Sequence, residues 1–568
     1  MLGAMDAPSR TLALATPHAA ATEAGRAAFA EGGTAVDAAL TACATLTVAY
    51  PHMCSIGGDA IALVHAPDGT VTAVNGSGAA PAALDAARVR ASLERDPAPV
   101  TRTGMPVRGP HTVTVPGVLA AWETLRGLGG RLDFARVLRP AIEYAADGCG
   151  VSRSLAGTLS WGSGVFAADP GLRDIYFRGG RPLGEGDVYR QPALAVSLDA
   201  VARHGVEVFY TGELGEQYVA GLHVTGSVIT TDDLAAHATE VVAPLRGTAF
   251  GHEVLTAPPN SQGFLLLELL AVMECLGVES AGDLPAPRSE RPLAPPDPLG
   301  PAAGTLARLF RLASDDRDRH LCDPRSHDVP LADLLGVDHV RALAERSACG
   351  PPARSDDHAS PMPSADSAGA SSGDTIACVA ADSDGWAVSI IQSVYNGFGA
   401  AILEPATGIV AHDRGACFSL DPASPNLLEG GKRPLHTLMP VMVRRNGRLT
   451  IVAGTMGGEA QPQIHAQILS RLLGGSGPAE AGSGAMAAST DAAVAAPRWI
   501  YDEGALLAEA DAPESCMASL RATRMPLEML EAVDETVGHA QYVRIAENGM
   551  MEAGSDPRAD GAAFLGGA

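Results

Sequence analysis

A threonine that follows Ser372, Gly373 and Asp374 opens an abrupt apolar run, and it is the best-placed nucleophile in this chain. A threonine hydroxyl is weak and needs a base beside it. If the Asp374–Thr375 peptide bond breaks, Thr375 becomes a chain terminus and its own α-amine can be that base. A free α-amine titrates at roughly 8, so after a modest shift much of it is unprotonated near neutral pH. The scheme needs no histidine, metal or organic cofactor. Before cleavage the hydroxyl would attack the Asp374 carbonyl, giving an ester that water resolves. Afterwards it would attack a substrate amide, and the acyl group would pass to water or to an amine.

The oxyanion formed in either step needs paired, fixed backbone donors. Gly457 and Gly458, between Met456 and Glu459 and after a predicted strand at 449–454, supply one such pair, because glycine lets backbone approach a substrate closely. On residues alone this loop reads as a plain strand-to-helix turn, and Thr375 as the start of an ordinary hairpin behind a surface loop. Rival catalytic patterns (G-x-S-x-G, H-E-x-x-H, G-x-x-x-x-G-K-[ST]) do not occur. None of the sixteen histidines has ligand spacing with a matching partner, so no metal is expected. His18, His52 and His465 read as surface or satisfied core residues.

The elements around these residues follow from patterning. Thr34 and Asp37 form a capping box for a helix at 36–47 that is apolar nearly all round and hence buried. Pro51 ends it, and strands at 60–66 and 71–74 make a hairpin behind it. Helices are predicted after Pro116, at 136–147 and at 263–276. The nucleophile hairpin spans 375–381 and 386–394, joined by a turn at 382–385. Residues of about 351–373 are rich in Ser, Asp, Pro and Ala and cannot bury enough apolar surface to order themselves; 474–489 reads as an exposed loop. A flexible tether into a strand that begins with threonine is what a self-processing nucleophile requires.

With 568 residues the chain is long for one compact core, so two lobes or one multilayer domain are expected. It is 46% apolar but only 4% aromatic, so its interior must be Ala, Val and Leu packed closely. A formal charge of −25 without a basic patch argues against a nucleic-acid partner. Nine scattered cysteines, with no C-x-x-C, support neither a zinc site nor a disulfide framework, and Cys43, Cys275 and Cys378 read as small core residues. Residues 1–16 carry no basic stretch followed by an apolar one, and Glu268 and Glu274 interrupt the longest apolar run. A cytoplasmic protein with no membrane partner is the expectation.

Several segments together resemble the γ-glutamyltransferase family of N-terminal-nucleophile hydrolases. They are Gly32 to Ala39; Pro51 and His52 with Ser55 to Asp59; Val115 to Gly117; Pro140 to Ile142; Ala145 to Gly148; Ala257 to Gly263; Asp315 to Arg319 with Cys322 to Pro324; Gly373 to Thr375; Gly431 to Pro434; and Gly457 with Gly458. Their shared order, from about Pro17 to Arg498, makes coincidence untenable. The resemblance implies an α+β fold, a four-layer αββα sandwich. It also implies self-cleavage into a large chain, 1–374, and a small chain, 375–568, that stay associated, with further oligomerisation left open. Thr375 falls on the family's nucleophile. Ser393 falls where a hydroxyl braces the nucleophile's amine, and Gly457 and Gly458 fall on the oxyanion pair.

Departures from the family bear on substrate. Ser77 stands where an arginine grips the α-carboxylate of glutamate, and Cys417 where an acid pairs with the α-amine. Tyr395 replaces an asparagine, and His436 and Thr437 replace a serine pair. Charged substrate groups without partners are costly to desolvate, so a free α-amino acid is disfavoured. Arg414 could grip a carboxylate in a bidentate manner, or form a structural ion pair. The sequence thus looks closer to the branch of oxamate amidohydrolases and cephalosporin acylases, and a small carboxylate-bearing amide is the expected substrate. A true γ-glutamyltransferase acting on glutathione is the alternative. An inactive relative serving as a binding protein is a third reading, against which the retained Thr375, Ser393 and glycine pair speak.

Overall fold

Alternating side chains along a strand divide the nucleophile hairpin between two interiors, and the fold is built around that division. In the computed structural model, which describes residues 10–280, 294–349, 374–473 and 488–567, the hairpin is Asp374–Asp382 and Ala387–Tyr395. Ile376, Cys378 and Ala380 point into a helical layer, whereas Ala377, Val379 and Ala381 face a second sheet. The predicted tether at 351–373 and nearly all of the predicted loop at 474–489 lie outside the described residues.

The hairpin sits mid-sheet. Edge to edge, the seven strands are Ala562–Gly567, Thr11–Thr16, Asp374–Asp382, Ala387–Tyr395, Asp59–His65, Val71–Gly76 and Glu240–Val242, with antiparallel neighbours throughout. The second sheet runs Met551–Ser555, Ala540–Ile545, Arg448–Thr455, Val441–Arg445, His252–Thr256 and Leu245–Ala249. Val379, Ala381, Leu63, Met442, Val452 and Val543 interleave between the two sheets. Small residues let them approach closely: a Cβ on Gly454 would stand 2.9 Å from the Ala377 Cβ and 2.5 Å from Ile391 Cδ1.

Helices cover both outer faces. Ala35–Ala49 is buried at every position behind the first sheet, with the predicted Thr34–Asp37 capping box in place. Val118–Gly129, Phe134–Asp147 and Pro192–His204 complete that layer. Gly263–Ser280 and Gln461–Leu473 back the second sheet, and Ala303–His320 and Val337–Ala348 pack on Gly263–Ser280. The architecture is the expected four-layer αββα sandwich, and one multilayer body replaces the two-lobe option. Among the described residues no helix is long and apolar enough to cross a membrane.

Smaller expectations are refined. Cys43 and Cys378 are buried but Cys275 is half-buried, and among the described residues no disulfide is formed. His52 and His465 are core residues that are only partly satisfied: His52 Nδ1 and His465 Nε2 lack a hydrogen-bond partner.

Candidate active site

Thr375 is wholly buried on the inter-sheet face of its strand, one residue past an irregularity in strand pairing. Thr375 is opposite Ser393 in the hairpin register, whereas Asp374 is opposite Tyr395, so pairing slips at the 374–375 peptide bond. Ser393 Oγ spans that slip. It accepts a hydrogen bond from Thr375 Oγ1 at 3.0 Å and from the Tyr395 N–H at 2.8 Å, and it donates to the Asp374 carbonyl oxygen at 2.6 Å. The hydroxyl that could attack and the carbonyl it would attack therefore share one hydrogen-bonded bridge.

The turn after Ser393 is held in an uncommon shape. Tyr395 has φ of 79°, in the left-handed region that a bulky aromatic seldom adopts. Asp413 secures it by accepting from the Asn396 N–H at 3.0 Å and from Asn396 Nδ2 at 2.7 Å. Burial raises the Asp413 carboxyl above its ordinary range.

Arg414 opens a short 3-10 turn, Arg414–Cys417, and lies over the Tyr395 ring at 4.4 Å. Its Nη1 donates to Thr437 Oγ1 at 3.0 Å and contacts Cys417 Sγ at 3.5 Å, and its Nη2 is 3.5 Å from Ser393 Oγ. The guanidinium is 1% exposed, yet among the described residues no carboxylate lies within ion-pair distance of it. Among those residues the structural ion pair left open by the sequence is not formed.

A neighbouring network absorbs two other candidates. Asp59 Oδ2 lies 3.1 Å from His436 Nε2 and 3.6 Å from His412 Nδ1. Burial alone would raise Asp59, but the two imidazoles and Arg414 hold it below its ordinary value. Burial, assisted by Arg414, depresses His436 to about 4. Its Nδ1 accepts from the Leu438 N–H, so the neutral ring donates to Asp59 through Nε2. Ser77 Oγ is committed to Asn75 Oδ1 at 2.7 Å and exchanges longer contacts with the Asn260 amide. The structure thus gathers Thr375, Ser393, Tyr395, Arg414 and Thr437, while the polar groups of His436 and Ser77 are spent on the scaffold beside them.

The glycine pair follows the Arg448–Thr455 strand. Near its end, Gly454 lies against Ala377, two positions along the strand from Thr375, with a Cβ there 2.9 Å from that of Ala377. Gly457 and Gly458 have φ of 138° and 51°, values that glycine tolerates. Among the described residues neither of their N–H groups has an acceptor. Gln262 Nε2 fastens the loop, donating to the Gly458 and Thr437 carbonyls at 2.9 Å each. A 3-10 turn and the Gln461–Leu473 helix follow, so the strand-to-helix turn is real and also carries two free donors.

On the far side of the 374–375 bond lies a cavity of about 460 Å³, lined in part by Arg108, Arg153, Asp374, Asn396 and Glu535. Burial, reinforced by Glu535, pushes the Asp374 carboxyl up to about 8, against the pull of Arg108. Sequence reasoning passed over the roles of Asp59, Asn260, Gln262, His412 and Asp413. Asp59, Asn260 and Gln262 lie in segments that carried the family resemblance, and that was the available signal.

Known proteins resemble this chain along nearly its whole length. The family model described as gamma-glutamyltranspeptidase matches residues 21–566. A glutathione hydrolase-like proenzyme, YwrD, of Bacillus subtilis is 34% identical over 562 residues, covering 96% of this chain and 97% of the relative. The oxamate amidohydrolase proenzyme of Klebsiella pneumoniae is 34% identical over 559 residues, with the same coverage of 96% and 97%. The crystal structure of a cephalosporin acylase from Bacillus halodurans superposes with a TM-score of 0.81 at 28% identity, covering 99% of both chains.

Proposed function

The chain belongs to the γ-glutamyltranspeptidase family and is an N-terminal-nucleophile amidohydrolase; on that premise we propose that it cuts itself before Thr375 and then hydrolyses a small amide bearing a carboxylate. The observation that carries this reading is the Ser393 bridge between the Thr375 hydroxyl and the Asp374 carbonyl. As Thr375 Oγ1 bonds to the carbonyl carbon, its proton passes to Ser393, and Ser393 gives its own to the carbonyl oxygen. The intermediate collapses with cleavage of the C–N bond, the nitrogen takes up the proton, and an Asp374 ester on Thr375 remains. Water, which the cavity beside Asp374 admits, hydrolyses that ester to the Asp374 carboxylate and the Thr375 hydroxyl, beside the amine already released when the C–N bond broke.

The mature enzyme repeats the chemistry on substrate. The Thr375 amine takes the hydroxyl proton, the acyl group moves onto Oγ1, and the Gly457 and Gly458 N–H groups receive the oxyanion. The large and small chains, 1–374 and 375–568, remain together because their strands alternate within one sheet. A cytoplasmic setting belongs to the same proposal.

Substrate class follows from Arg414. A buried guanidinium without a carboxylate partner is costly, and a substrate carboxylate beside it removes that cost. Tyr395 and Cys417 beside it offer no acid for an α-amine. Kinetics on oxamate, glutaryl amides and a γ-glutamyl anilide test this. Turnover should favour the acids that lack an α-amine, and Arg414→Met should lower their kcat/KM by about 30- to 1,000-fold, ~2–4 kcal/mol, with Arg414→Lys restoring only part. Faster turnover of the γ-glutamyl anilide or glutathione would move the assignment to a true γ-glutamyltransferase.

A further inference from the structure

Behind the second sheet, three helices each send one metal-ligating side chain to a common point. Glu268 comes from Gly263–Ser280, Asp316 from Ala303–His320 and His339 from Val337–Ala348. One ligand atom from each lies within 4.8 Å of the other two. His339 Nε2 is 3.0 Å from Asp316 Oδ2 and 3.7 Å from Glu268 Oε2. Ligands arranged tetrahedrally about an ion at 2.0–2.1 Å stand about 3.3 Å apart, so these separations bracket what one ion would impose.

A second observation points to a ligand. Glu268 is fully buried and turned into the cluster, and among the described residues neither of its carboxylate oxygens has a hydrogen-bond partner. A buried carboxylate without a donor costs several kcal/mol, which a cation at this point would offset. Arg319 Nη1 lies 3.7 Å from the other Asp316 oxygen, Oδ1, and leaves Oδ2 facing the cluster. His339 is 28% exposed, which gives an ion a way in and leaves one side for water.

We propose that Glu268, Asp316 and His339 bind one divalent transition-metal ion, with Zn²⁺ as the fitting probe. One imidazole with two carboxylates suits Zn²⁺, whereas Ca²⁺ and Mg²⁺ prefer oxygen-only sets. The site is a clamp. It ties the helix that leaves the Asn260–Gln262 loop and packs on the second sheet to the two helices behind it, Ala303–His320 and Val337–Ala348, and so stiffens the scaffold behind the glycine pair.

Calorimetry and thermal unfolding of the dialysed full-length protein, titrated with Zn²⁺, test the proposal. The expected result is about one equivalent bound with micromolar or tighter affinity and a rise in Tm that grows with free Zn²⁺. His339→Ala and Glu268→Gln should each weaken binding by at least ~10-fold and abolish the Tm rise, with far-UV circular dichroism unchanged. His327→Ala, outside the cluster, should bind as the parent does. Absence of saturable binding in the parent, or binding that survives both variants, overturns the site and leaves Glu268 as a neutral buried acid.

Discussion

In the proposed mechanism one hydroxyl decides whether this chain can process itself. Ser393 donates to the carbonyl that Thr375 must attack, and it is itself oriented by the Tyr395 N–H. Ser393→Ala removes a donor from the developing oxyanion, a loss that typically costs 10²–10³ in rate. Self-cleavage followed by gel electrophoresis should therefore slow by about that factor, and Ser393→Thr, which keeps the hydroxyl, should restore most of it. An unchanged rate in Ser393→Ala would remove the bridge from the mechanism. Thr375 could be read in the sequence because its setting is local: a polar run ends and an apolar strand begins. Ser77 and His436 were placed by correspondence with the family, yet their polar groups are taken up by Asn75, Asn260 and Asp59. His436 and Asp59 are 377 residues apart, and no local pattern announces such a pair.

At the scale of elements, the hairpin was legible and its environment was not. The hairpin at 375–394, the capped helix behind it and the helix after Pro259 all announced themselves through periodicity and punctuation, and they differ from expectation by a few residues at their ends. Which strand would lie across the hairpin is a long-range matter. Gly454, opposite Ala377 and Ile391, permits that contact. Gly454→Ala would thrust a methyl group into the space between sheets, and overpacking of this kind costs about 1–3 kcal/mol. Urea unfolding should show that loss, and self-cleavage should slow because the displaced Ala377 and Ile391 stand two positions from Thr375 and Ser393 in the hairpin. Full stability with Gly454→Ala would mean that the sheets are less tightly apposed than described.

Across the whole molecule, the two chains that the proposed cleavage would yield cannot be separate domains. Asp374–Asp382 and Ala387–Tyr395 lie in mid-sheet between Thr11–Thr16 and Asp59–His65, so on the proposed cleavage the small chain would be born inside a fold that the large chain already flanks. This explains why the break can come late, after folding has brought Thr375, Ser393 and Arg414 together. The four layers were legible only through resemblance, since composition and charge fix no layer order; the three-helix Glu268–Asp316–His339 cluster escaped notice because each helix supplies a single ligand. The most direct test is intact-protein mass spectrometry during incubation of freshly purified protein, with amide turnover measured in parallel. The predicted result is two chains, the smaller beginning at Thr375, appearing in step with activity, and a Thr375→Ala variant that stays whole and inert. Full activity from an uncut chain, or cleavage that persists in Thr375→Ala, would contradict the account.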